Sequence, residues 1–179
     1  METNILLIII MFLACVAALA FACRGMFSNV KTARNVDIKK YMGTWHEIAR
    51  LDAWFQRGKY NSQAFYKLNR DGTVFIINSA TDKNGRKVSV SARGYAPDGK
   101  DFSRLRISFF RPFYANYNIL ELDENYQWAL VGGSSKKYLW ILSRIPQMDA
   151  ETLNKIINLA KERNYDVSKL LFNKDLIPK

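Results

Sequence analysis

Asp37-Ile38-Lys39-Lys40-Tyr41-Met42-Gly43-Thr44-Trp45-His46-Glu47-Ile48-Ala49 opens a long run of short segments separated by turn residues. Read as a strand from Gly43, it places Trp45 and Glu47 on one face and His46 on the other. A carboxylate buried beside Trp45 needs a partner, which Arg144 or a tyrosine is expected to provide. Downstream, Asp71-Gly72, Asn84-Gly85 and Asp98-Gly99 supply the positive φ angles of tight hairpins. Three successive hairpins imply an up-and-down order. Further breaks at Gly58, Pro112, Asp123-Glu124-Asn125 and Gly132-Gly133-Ser134 leave eight strand-like stretches. These run over about 43–52, 60–68, 73–80, 87–96, 103–110, 116–122, 126–132 and 137–144.

An antiparallel meander of this size hides its edges by closing, so the expected fold is all-β, an eight-stranded antiparallel up-and-down β-barrel. Alternation points Ala64, Tyr66 and Leu68 inward, with Val74 and Ile76, Ala92 and Gly94, and Leu105, Ile107 and Phe109. Small residues on the fourth strand opposite large ones elsewhere are expected to leave volume for a cavity. After Pro146 the period changes. Asp149 can cap an α-helix to about Asn164, with Leu153, Ile156, Ile157 and Ala160 on the face packed outside the barrel. Val167 to Phe172 reads as a short final strand.

At 179 residues and 49% hydrophobic, the chain suits one barrel domain, 37–179, behind an N-terminal segment. Its net charge of +11 favours anionic partners, phospholipid headgroups or nucleic acid, or serves solubility alone. Both cysteines, Cys15 and Cys23, precede the barrel, so no disulfide, cysteine-based metal site or cysteine nucleophile is expected in it.

From Ile5 to Cys23 the chain is apolar and uncharged, about 28 Å as a helix, which suits a signal peptide or a membrane anchor over residues 1–23. Ala20-Phe21-Ala22 has the spacing that signal peptidase accepts. With the following cysteine it also resembles the lipobox of bacterial lipoproteins, which implies lipid attachment at Cys23. Phe21 and Ala20 depart from the preferred lipobox residues, and Met1-Glu2-Thr3-Asn4 lacks the usual basic charge. Residues 24–36 read as a tether.

The opening stretch closely resembles the first conserved region of the lipocalin family, in which Gly-x-Trp begins the barrel. Tyr117-Asn118-Ile119-Leu120, running into Asp123 and Tyr126, is similar to the second, and Leu139-Trp140-Ile141-Leu142-Ser143-Arg144 to the third. Phe55-Gln56-Arg57-Gly58, Ser108-Phe109-Phe110 and Pro112-Phe113-Tyr114 resemble the bacterial outer-membrane lipocalin group related to apolipoprotein D. The resemblance implies a structural barrel floor of Gly43, Trp45 and Arg144, with the guanidinium on the indole. It also implies a fatty acid or lysophospholipid ligand, stored or transported at the cell envelope. The barrel is then lipid-anchored to the outer membrane and faces the periplasm, or alternatively is secreted. Candidate wall residues are Tyr66, Ile76, Phe109, Asn118, Leu120 and Trp140, each equally readable as ordinary core. Phe109 to Tyr114 reads as a rim, as an association surface such as a homodimer would use, or as packing around a turn. Glu121, where relatives carry a small residue, is expected to point outward between inward Leu120 and Leu122.

Other functions fit less of the sequence. With His46 as the sole histidine and no nucleophile–base set, metal cluster or phosphate loop, no catalytic residue and no cofactor is expected. A nucleic-acid module is opposed by the export leader and by eight strands where the usual oligonucleotide-binding barrel has five. A structural envelope protein without a ligand is the remaining alternative.

Overall fold

The computed structural model describes residues 30–173. The chain divides into a unit ending at Lys31 and a unit beginning at Thr32, and the latter contains the barrel. The leader and Cys23 lie outside the described residues. A single turn of helix, α1 (Ile38–Tyr41), precedes the sheet; Asp37 caps it by accepting from the Lys39 and Lys40 amides. Eight strands follow: β1 (Gly43–Arg50), β2 (Lys59–Leu68), β3 (Val74–Asp82), β4 (Lys87–Tyr95), β5 (Arg104–Phe110), β6 (Phe113–Leu122), β7 (Trp128–Gly132) and β8 (Leu139–Ser143). Each is antiparallel to its neighbour, and β1 pairs with both β8 and β2, so the sheet closes. Gly72, Gly85 and Gly99 take positive φ in the hairpins, as their Asp-Gly and Asn-Gly contexts require.

A helix, α2 (Ala150–Glu162), starts at Asp149, whose carboxylate accepts from the Thr152 amide. It lies outside the barrel. Leu130, Leu139 and Ile141 point away from the interior yet are fully buried, Lys155 lies over the Trp128 ring, and Arg163 pairs with Glu121 on the outer wall. Gly132 permits this approach, because a Cβ there would stand 2.5 Å from the Tyr165 hydroxyl.

The final strand is shorter than expected. Val167–Lys169 form a 3-10 turn, and only Leu171–Phe172 (β9) pair with β1, at Arg50 and Ala49. Asp166 explains the loss: it accepts from Ser168 Oγ and pairs with Lys169 Nζ, local bonds that compete with an extended backbone. In contrast, β6 begins three residues before the expected position, since the turn at Arg111-Pro112 is tight enough for Phe110 to face Phe113.

Candidate functional site

Register decides which side chains share the interior. Trp45 stands opposite Ala64, Ala64 opposite Asn78, and Asn78 opposite Val90, so this row runs along one face across four strands. Tyr66, Ile76 and Ala92 form the next row, and Val131, Trp140 and Arg50 a third. At one end this interior is sealed; at the other it opens.

The sealed end is built around Trp45, which is fully buried and donates from Nε1 to the Tyr41 carbonyl at 2.9 Å. Arg144 lies over the indole at 3.9 Å and donates to the carbonyls of Lys40, Thr44 and Tyr126. Gly43, at φ +96°, lets the guanidinium approach, since a Cβ would sit 3.4 Å from its Nη1. Burial pulls Arg144 below its ordinary value, and Tyr41 opposes the shift.

Just above this floor three tyrosine hydroxyls meet. Tyr117 bonds Tyr41 at 2.6 Å and Tyr66 at 2.9 Å. Burial raises all three phenols, that of Tyr66 to about 12. No one of these positions carries a sequence signal for the cluster; Tyr41, Tyr66 and Tyr117 meet only through closure of the sheet.

Toward the open end lies a buried polar network. Glu47 pairs with Arg50, which is 1% exposed, and accepts from Gln56 Nε2 at 2.9 Å. Gln56 in turn accepts from Trp140 Nε1 at 2.8 Å, and Arg50 donates to the Gln56 and Lys59 carbonyls. The partner of Glu47 is therefore Arg50, not Arg144 or a tyrosine. A register shift between Glu47 and Ala49 turns Arg50 to the same face as Glu47, which strict alternation forbids. The network fastens the 3-10 turn Trp54–Gln56 to β1 and β8. Phe55, Tyr138 and Trp140 stack in sequence beside it.

Of the six wall candidates, Tyr66, Ile76 and Trp140 face the interior. Asn118 and Leu120 do not. A register shift between Ile119 and Glu121 carries Leu120 to the outer wall, against Gly132, and Asn118 stands opposite Gly132 and donates to the Gly133 carbonyl. The inward residues of β6 include Ala115, Tyr117, Ile119 and Leu122, while Glu121 is outward as expected. Phe109 falls at another shift, between Ile107 and Phe110, and is about half exposed. It borders a shallow cleft of about 140 Å³ with Arg93, Tyr95 and Ser108. Gly94 opens no cavity either. Ile107 and Ile76 occupy its space, at 3.3 and 3.5 Å from where a Cβ would be.

Sequence reasoning missed Val90, which lies on the interior row of Trp45 yet is 50% exposed, so the barrel is open to solvent at that height. His46 faces outward, and burial lowers its pKa. Among the described residues no cluster of three or more His, Cys, Asp or Glu could hold a metal ion.

A closed eight-stranded meander, sealed at one end by a Gly-x-Trp and its arginine and open at the other, is the architecture of a lipocalin. The chain belongs to that family, a family of binding proteins rather than enzymes: the lipocalin-like domain matches residues 36–175. It is similar to the outer membrane lipoprotein Blc of Vibrio cholerae, 36% identical over 163 residues, covering 90% of this chain and 95% of that protein. The Escherichia coli K12 protein of the same name is 38% identical over 145 residues, 80% and 82% of the two chains. Mouse apolipoprotein D is 29% identical over 177 residues, 90% and 92% of the two. In fold it matches insecticyanin of Manduca sexta, with a TM-score of 0.67 at 23% identity over 81% of this chain and 84% of that one.

Proposed function

We propose that this chain binds one amphiphile, a fatty acid or lysophospholipid, for storage or transport at the outer membrane, to which acylated Cys23 anchors it on the periplasmic side. The interior supports the acyl half of that reading. Its walls carry buried Ile76, Ile107 and Val131 between the tyrosine hydroxyls at the floor and the Glu47–Arg50 pair nearer the open end, and Val90 is half exposed on the side that opens. Tyr66, Ile76, Val90 and Trp140 share interior rows of the sheet, which supports the reading of them as the wall against the acyl chain. The anchor reading rests on the lipobox-like Ala20-Phe21-Ala22-Cys23 and on relatives that are outer membrane lipoproteins.

Trp140 provides the readout for binding. Titration with palmitate or lysophosphatidylcholine is expected to change tryptophan emission in a saturable way at about one ligand per barrel, and Trp140→Phe should remove most of the change. A flat titration with both lipids on folded protein would leave the structural envelope reading instead. For the anchor, Cys23→Ser should abolish incorporation of labelled palmitate; labelling that survives the substitution places the attachment elsewhere.

A further inference from the structure

The two ends of the barrel differ in charge. At the open end the loops 51–58, 83–86, 111–112 and 133–138 carry six Lys or Arg and one acid, Asp52. The hairpins at the closed end, 69–73, 96–103 and 123–127, carry two basic residues and five acidic ones. Asp52 is already paired with Arg57 and Arg86 with Asp82, and among the described residues Lys83, Arg111 and Lys137 make no carboxylate pair. Large exposed apolar side chains gather at the same basic end. Trp54 is 72% exposed, Phe110 75% and Phe113 72%, with Phe55 and Phe109 beside them. Phe110 and Phe113 stack on each other at the tip of the β5–β6 hairpin and stay largely exposed there. Toward the closed end the exposed large apolar residues among those described are Phe65, Tyr95 and Ile145, and none of them stands in a hairpin loop.

Part of each feature is used by the fold, since Phe55 stacks on Tyr138, Arg57 and Arg86 meet Asp52 and Asp82, and Lys136 donates to the Arg163 carbonyl; Phe110, Phe113, Lys83, Arg111 and Lys137 remain. Aromatic rings left in water at loop tips, interleaved with Lys83, Arg111 and Lys137, which meet no acid among the described residues, match the two halves of a phospholipid surface: the acyl boundary for the rings and anionic headgroups for the charges. A second copy of this end would set like charges against one another. We infer that the open end docks on an anionic phospholipid surface, with Trp54, Phe110 and Phe113 entering the headgroup region and Lys83, Arg111 and Lys137 over the lipid phosphates. The acidic hairpins then face away, and the interior opens directly onto the bilayer. This contact is distinct from the N-terminal anchor and from ligand binding in the interior.

The test uses the full chain reconstituted in vesicles of phosphatidylcholine, with or without 40% phosphatidylglycerol, whose acyl chains are brominated or plain. The emission lost in Trp54→Phe isolates the Trp54 signal. Bromine is expected to quench at least half of that signal on the anionic vesicles. The quenching should fall at least threefold on pure phosphatidylcholine, in 0.5 M NaCl, or in the Arg111→Glu/Lys137→Glu variant. Phe110→Ser/Phe113→Ser should weaken it similarly. Equal Trp54 emission in brominated and plain anionic vesicles overturns the inference, as does quenching indifferent to lipid charge. A blue-shifted, unquenched Trp54 that varies with the protein-to-lipid ratio assigns the patch to self-association and overturns it too. Quenching that persists in Trp54→Phe reports lipid in the interior at Trp140, so ligand binding and docking are read separately.

Discussion

Glu47→Ala is expected to lower the unfolding free energy by about 3–5 kcal/mol, the typical cost of leaving one partner of a buried ion pair alone. Arg50 is almost wholly buried, its Nε–H already lacks an acceptor, and among the described residues Glu47 is its only carboxylate partner. Removing Glu47 also takes the acceptor from Gln56 Nε2 and loosens the turn that Gln56 ties to Trp140. Urea unfolding should show the midpoint shift, and the near-ultraviolet dichroism of the tryptophans should change with it. In contrast, Glu47→Leu with Arg50→Met should recover most of the loss, because exchange of a buried pair for apolar side chains of similar size is often neutral or stabilising. A loss below about 1 kcal/mol in Glu47→Ala would mean that water reaches Arg50 and that the turn is not held by this network.

The second large effect is alkaline. Tyr66 titrates at about 12 in the folded barrel against an ordinary value of 10.0. Between these values the folded state binds the proton that the unfolded state releases, so the stability is fully present below pH 10 and is lost as pH rises toward 12. A shift of this size corresponds to about 2–3 kcal/mol from Tyr66. Tyr41 and Tyr117 are shifted in the same direction, mainly by burial, and add to it. Unfolding followed from pH 8 to 12 should show a plateau and then a fall, and Tyr66→Phe should make the fall shallower. The phenolate absorbance of the folded protein should lag that of free tyrosine. An unfolding free energy that stays level to pH 11.5 would show that these hydroxyls are hydrated.

The turn dipeptides and the opening glycine and tryptophan made the strand number, order and closure legible because they act locally. An Asp-Gly specifies positive φ wherever it stands, and eight strands so joined have little alternative to a barrel. The helix was equally legible from Asp149 and the spacing of Ile156 and Ala160. Wall residues were legible only where the strand was regular. Alternation held along β2 from Gln63 onward and along β3 and β4, where Tyr66, Ile76 and Ala92 face inward as read. It failed at three of the four register shifts, which moved Leu120 out, brought Arg50 in and displaced Phe109 from the row of Leu105 and Ile107; the fourth, between Tyr60 and Gln63, lies before the inward residues read on β2.

By itself, then, the sequence determined a lipocalin barrel whose Gly43-Thr44-Trp45 meets Arg144, since these depend on short-range turn chemistry and a motif that marks one position in one fold. Tertiary structure alone decided the partner of Glu47, the meeting of three tyrosines from α1, β2 and β6, and the gathering of aromatic rings and cations at the open end. A bulge displaces a whole row of side chains by one residue, and closure brings together strands far apart in the chain. Neither leaves a mark on the residues that it rearranges.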